Sequence, residues 1–218
     1  MNPSFSLVQQ IAIWALPVLL AVTLHEVAHG WTARALGDQT ASYLGRLSLN
    51  PLKHVDPIGT VLVPAALLLF HSPFLFGWAK PVPVSMKNLR NPHRDMAIVA
   101  AAGPAANLVM AVAWVVVLKL ALPYSHAGLL GAGIFAMAQA GVLINLVLFV
   151  FNLIPIPPLD GGRVLAGFLP PEAARKFNRV EPYGLVIVIL LLVSGVLGDV
   201  LTTPMMYIYS ALAHLVNL

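Results

Sequence analysis

Residues 23–31 read TLHEVAHGW, and they follow eighteen residues, Phe5 to Val22, that carry no charge. A carboxylate at membrane depth is costly, so a chain that keeps one there generally uses it. His25 and His29 are four apart, which on a helix puts both imidazoles on one face, one turn apart, with Glu26 beside them. Two imidazoles at that spacing can hold one zinc ion, and the neighbouring carboxylate can reach a zinc-activated water as general base. The plainer reading is two histidines that merely hydrogen-bond within a helix bundle. It loses weight because stray ionisable groups are selected against inside a membrane run.

Composition sets the same frame. Of the 218 residues, 59% are hydrophobic and only 9% charged, against about 25% charged in soluble domains. Mean hydropathy is +0.87. The net charge of +4 is small, and the basic residues are scattered among apolar runs without forming a basic face, which argues against nucleic acid as a partner. With no cysteine there is neither a disulfide framework nor a thiolate metal site, so any metal falls to His, Asp or Glu. The start, MNPSFSLVQQIAIW, lacks a basic leader and a small-residue cleavage site, which predicts a retained membrane helix.

The first apolar run extends to about Leu36, where Gly37 and Asp38 stop it. A polar stretch leads to IGTVLVPAALLLFHSPFLFGW, residues 58–78, interrupted by Pro64 and by His71-Ser72-Pro73. Clean runs follow from Met96 to Leu122 and from Gly128 to Leu153, then another from Gly184 to Leu197. The last piece, MMYIYSALAHLVNL, suits a short span or an interfacial helix. The pattern predicts an all-α polytopic membrane protein of about four to six transmembrane helices, with a re-entrant or β-hairpin-like segment near residues 58–84. It is one integral-membrane domain over residues 1–218, with a core at 5–180 and C-terminal helices at 184–218.

A catalytic zinc site normally has three protein ligands and an open position. Among the eight acidic residues, Asp160 has the most telling context, FNLIPIPPLDGG. Three prolines and a glycine pair force irregular backbone at the end of a membrane helix, tolerated only where it is buried in protein or lines a cavity. Asp160 is therefore the expected third ligand, its competing role being the N-cap of a short helix. Two membrane-embedded amides stand out, Asn152 and Asn107. Each suits interhelical hydrogen bonding or donation to an oxyanion, and the proximity of Asn152 to Asp160 favours the catalytic role for it. His54 is a further candidate as metal neighbour or substrate-proximal group. Trp14 is expected to pack inside, and Trp31 and Trp78 to join an aromatic belt.

Taken together, HEVAH at 25–29, AAGPAAN at 101–107 and NLIPIPPLDGG at 152–162 resemble the site-2 protease family of intramembrane zinc metalloproteases. The resemblance spans about residues 5–180, and NPLKHVDPIGT and GWAKPVPV are similar to compact prokaryotic members. It implies zinc on His25, His29 and Asp160, with Glu26 as catalytic base and Asn152 at the substrate or transition state. His54 and Asn107 remain candidates for substrate binding or ligand support. It also implies a transmembrane protein substrate, while leaving the oligomeric state open. The PDZ insertion or CBS domain of many relatives is not expected here.

The metal site constrains topology. His25 and His29 lie near the C-terminal end of the first helix and Asp160 just past the end of the 128–153 helix, so both ends must reach one face. That requires residues 58–77 to enter the bilayer and return without crossing. Eleven of the twelve Lys and Arg then lie on that same face, which the positive-inside rule makes cytoplasmic. The expected location is the cell membrane of a prokaryote, with the active site towards the cytoplasm. The irregular FLFGWAKPVPV is suited to pairing with an unwound substrate by strand addition. The competing class is a membrane metal transporter or metal sensor using the same ligands.

Overall fold

The computed structural model describes residues 5–70 and 77–216. Helix α1 spans Leu7–Ala35 and opens with a capping box: Ser6 Oγ accepts from Gln9 N–H, and Gln9 Oε1 accepts from Ser6 N–H at 2.8 Å. These bonds satisfy backbone donors that a helix start otherwise leaves orphaned. At 1.5 Å per residue, α1 is about 43 Å long, longer than the roughly 30 Å of hydrocarbon. It stops at Gly37, whose φ of 115° reverses the chain.

After a single turn α2, Thr40–Tyr43, come a 3₁₀ turn at Pro51–His54, a π-helical turn at Pro57–Leu62 and the short helix α3, Val63–Leu69. The chain then returns to where it left. Trp78 N–H donates to Gly59 O at 3.1 Å, and Thr60 Oγ1 donates to Trp78 O at 2.8 Å. A segment whose two ends are tied together has not crossed a bilayer between them, which agrees with a re-entrant excursion. Its expected break at His71-Ser72-Pro73, and the adjoining Phe74, Leu75 and Phe76, lie outside the described residues. The return limb, residues 77–85, forms no strand among the described residues, though Pro81 and Pro83 bias Lys80 and Val82 towards extended backbone. Arg46 holds it by donating to the carbonyls of Lys53, Lys80 (2.9 Å) and Pro81 (3.3 Å), while Lys80 N–H donates to His54 O.

Helix α4, Pro92–Ala121, begins with proline at its first position, where the missing N–H is no loss. Helix α5, Leu129–Asn152, runs back beside it. Beyond α5 lie α6 (Asp160–Phe168), α7 (Pro171–Asn178), α8 (Gly184–Val193) and α9 (Val196–Leu215). Among the described residues three helices are long and apolar enough to cross a membrane: α1, α4 with its extension to Tyr124, and α5. The apolar residues at the end of the chain add a fourth span if the pair broken at Gly195, bent by 82°, counts as one. This is an all-α, multi-pass membrane protein, and its three or four candidate spans fall at or just below the low end of the expected four to six.

The helices approach through small residues, as expected where lipid gives no hydrophobic drive to associate. Ala111, Val115 and Leu118 of α4 pack with Ala138, Val142 and Leu146 of α5 and Leu212 of α9. Gly141 admits the Trp114 ring so closely that a Cβ there would sit 2.2 Å from it. Large apolar side chains on the outer faces, among them Ile11, Val109 and Leu130, are exposed and suit contact with acyl chains. Trp14 belongs with them: it is 42% exposed, turned outward rather than packed.

One latch joins the end of α1 to the approach to α4. Asp38, fully buried, accepts hydrogen bonds from Thr40 N–H and Oγ1, from Ser85 N–H at 2.7 Å and from Asn88 Nδ2 at 2.9 Å. Burial alone would raise its pKa. The hydrogen bonds from Thr40, Ser85 and Asn88 outweigh burial and hold the carboxyl below its ordinary value of 3.8.

Candidate active site

Three segments meet at the basic end of the bundle: the C-terminal turns of α1, the N-terminal half of α4, and the α5–α6 connection. The i, i+4 spacing on α1 sets the His25 and His29 rings edge to face, with centroids 4.6 Å apart and planes at 87°. Their Nε2 atoms are 3.0 Å apart, and each lies 3.2 Å from Asp160 Oδ2. The prolines and Gly161-Gly162 make this possible. Gly161 lies against the carbonyls of Leu153 and Ile154 and Gly162 against Ile156 and Pro157, where a Cβ would meet backbone at 2.3 to 2.6 Å. Asp160 does not cap α6. Leu159 occupies the N-cap position and Asp160 is the first helical residue, its carboxylate turned to the histidines.

The ring protons are placed by their partners. His29 Nδ1 faces Val99 O at 2.7 Å, an oxygen that can only accept, so Nδ1 carries the hydrogen. His25 Nδ1 faces Asn107 Oδ1 at 2.6 Å. The Asn107 amide is oriented by its own donations, from Nδ2 to Ala21 O at 3.3 Å and to Asn145 Oδ1 at 3.0 Å, and Asn145 Nδ2 donates to Gly141 O at 2.8 Å. His25 Nδ1 is therefore also a donor. Both Nε2 atoms then point bare lone pairs at each other and at a carboxylate oxygen. Asp160 Oδ2 is buried with no hydrogen-bond partner.

Three acceptor atoms without a donor between them are a repulsive arrangement, and protonating one imidazole would relieve only part of it. A cation relieves all of it. Tetrahedral zinc with bonds of about 2.0–2.2 Å holds its ligand atoms roughly 3.3 Å apart, close to the 3.0 and 3.2 Å found here. His25, His29 and Asp160 fit the ion as they stand, and the bonds at Nδ1 are the outer-shell support that metal-binding histidines require.

The group opens on a cavity of about 490 Å³ that Glu26 and Asn152 also line. Its walls are largely apolar and include Val22, Met96, Leu148 and Phe151, with Leu185 and Val188 of α8. Glu26 is half-buried, and its Oε2 accepts from Val82 N–H of the return limb at 2.7 Å. Asn152 donates from Nδ2 to Leu148 O one turn back, at 3.0 Å. Asn107, left open between two roles, supports His25 and is not among the cavity-lining residues. His54 joins neither the metal group nor the cavity wall; it is buried against the preceding loop, with Nε2 donating to Ser48 O at 2.8 Å.

Sequence reasoning did not single out Asn145, Gly103 or Val82. The signal for Asn145 was there to use, an amide in the apolar run GVLINLV. Gly103 sits inside the AAGPAAN stretch, but its own importance, how closely α4 approaches α1, does not show in residue spacing. A Cβ there would fall 2.3 Å from His29 Nε2 and 2.6 Å from His25 Cε1.

The profile of Peptidase family M50 matches residues 120–195, which include Asp160. YwhC of Bacillus subtilis, named as a candidate zinc metalloprotease, is 37% identical over 191 residues, 87% of this chain and 83% of that protein. The chain belongs to peptidase family M50. Two mycobacterial relatives, both called Rip2 and named in the same way, align over most of this M50 chain. The Mycolicibacterium smegmatis protein is 34% identical over 83% of this chain and 66% of its own length. That of Mycobacterium tuberculosis H37Rv is 30% identical over 88% and 69%. No solved structure matches this M50 member.

Proposed function

We propose that this M50 peptidase is a zinc endopeptidase that hydrolyses a peptide bond in or next to a transmembrane segment of a membrane-protein substrate. The observation that carries the reading is the convergence of His25 Nε2, His29 Nε2 and Asp160 Oδ2 within 3.2 Å, at a cavity lined by Glu26 and among helices of membrane-spanning length. The names of YwhC and Rip2 support the same reading.

Bound by these three residues, zinc supplies Lewis acidity that polarises a carbonyl and makes water a nucleophile near neutral pH. Glu26 takes the proton of the attacking water and passes it to the leaving amine. Val82 N–H fixes one oxygen of that carboxylate and leaves the other to work. Asn152 has a second amide hydrogen beyond the one given to Leu148, and it serves the substrate carbonyl or the oxyanion. Asn107 and Asn145 set the tautomer and angle of His25. The apolar walls keep bulk water from competing with these interactions.

The clustering of basic residues at this end of the bundle supports a cytoplasmic site, which shortens the path of water to the reaction. The return limb at residues 77–85 supports strand addition as the way an unwound substrate is held. Transport would favour ligands spaced along a path, whereas among the described residues a single group of three is close enough to share an ion.

The test is proteolysis by the purified protein in detergent or bilayers, with model transmembrane substrates and the cut mapped by mass spectrometry. The reading expects cleavage within or beside the apolar segment, lost on chelation and restored by zinc. Chelator-insensitive cleavage would contradict it.

A further inference from the structure

Arg163 lies one turn beyond Asp160 on α6 and lines the same cavity. Among the described residues it is the only Lys or Arg that does so. Apart from the metal group and Glu26, the rest of the wall is uncharged, so this cation has the field of the cavity mouth to itself. Its partner is Glu181, in the turn before α8, with Nη2 and Oε1 3.6 Å apart. That separation is too long for a hydrogen bond. The two side chains are 43% and 49% exposed, a setting in which an ion pair is weak and readily exchanged. Among the described residues the five N–H donors of Arg163 make no hydrogen bond. A planar guanidinium that makes no hydrogen bond within the protein is matched in shape and charge by a carboxylate.

We propose that Arg163 is a recognition site for an acidic side chain of the substrate, an Asp or Glu lying within a few residues of the scissile bond towards the open end of the cavity. This rests on the endopeptidase reading of the site. The substrate carboxylate replaces Glu181 on the guanidinium and forms the paired N–H···O bonds that Glu181 does not make. A lysine at the same substrate position meets Arg163 as a like charge and is disfavoured. The specificity is therefore for an apolar segment flanked by an acidic residue.

The experiment compares model transmembrane substrates identical except for Glu, Gln or Lys at each of the first four positions on either side of the cut. Each is assayed with wild type, Arg163→Gln, Arg163→Glu and Glu181→Gln. The readout is the ratio of kcat/KM for the Glu substrate to that for the Gln substrate. At the best position wild type is expected to favour Glu about fivefold, mainly through KM. The ratio falls to about one in Arg163→Gln and rises in Glu181→Gln, while Arg163→Glu prefers Lys. A wild-type ratio near one at every position overturns the proposal, as does a Glu preference that survives in Arg163→Gln. Affinities of the same peptides for Glu26→Gln protein, with and without the Arg163 substitutions, give the ratio without turnover. A chain that binds but never cleaves would thus sink the endopeptidase reading while leaving the carboxylate site to be judged separately.

Discussion

Asn107 Oδ1 accepts the Nδ1 proton of His25 across 2.6 Å, with both side chains buried between α1 and α4. An amide from one membrane helix thereby fixes the ring of a proposed metal ligand on another. Asn145 of α5 in turn fixes the amide at 3.0 Å. Substituting Asn107 by alanine strands the His25 proton in a buried site and frees the ring to rotate. Zinc affinity is expected to fall about 10- to 100-fold, as read by competition with a chelator of known affinity. Asn145→Ala, one bond further out, is expected to cost less.

Gly103 lies directly against the two histidine rings. The methyl group of Gly103→Ala would lie 2.3 Å from His29 Nε2, and both rings are pinned at Nδ1, so neither can yield cheaply. Metal content is expected to drop well below one per chain while helical content by circular dichroism is retained. A fully metallated Gly103→Ala protein would refute this account of the site.

The bond from Val82 N–H to Glu26 is backbone in origin, so only proline removes it cleanly. Pro81 and Pro83 already hold the local chain extended. Val82→Pro is expected to reduce kcat about tenfold, the cost of one hydrogen bond to a charged group, with zinc content unchanged. Val82→Ala keeps the N–H and should remain near wild type. Equal losses in the two variants would assign the effect to the side chain.

Asp38 links fold stability to pH. Its folded pKa lies below the ordinary 3.8, so the folded state binds the proton less tightly than the unfolded chain does. The stabilisation is fully present above about pH 4 and fades as pH falls through the folded value. Asp38→Asn, which sets an amide group against donors that need an acceptor, is expected to cost about 2 kcal/mol at neutral pH. It should also flatten the decline in thermal stability below pH 4. A wild-type melting temperature that holds constant from pH 5 to 3 would contradict the latch.

What could be read from the sequence was what depends on local spacing. The His25–His29 pair is legible because four residues make one helical turn. Asp160 is legible because prolines and glycines mark irregular backbone that a membrane tolerates only for a purpose. The re-entrant segment followed from requiring His29 and Asp160 to share a face. What escaped depends on distant neighbours. The partners of Asp38 lie at 85 and 88, Gly103 matters only through its distance from α1, and the carboxylate of Glu26 is met from residue 82. His54 looked like a metal neighbour or substrate-proximal group by residue type alone, yet its ring donates to Ser48 O. The end of the chain was ambiguous because Gly184 to Leu215 is nearly all apolar. Its division at Gly195, with φ of 81°, is a matter of backbone conformation.

The central claim is a metal site built by His25, His29 and Asp160 with Glu26 acting on water beside it. The most direct test measures zinc content and cleavage of a transmembrane substrate together, in wild type and Glu26→Gln. The account predicts one zinc per chain in both proteins and cleavage only in wild type, the loss being at least about a thousandfold if Glu26 is the base. Cleavage by Glu26→Gln at a rate near wild type would contradict it.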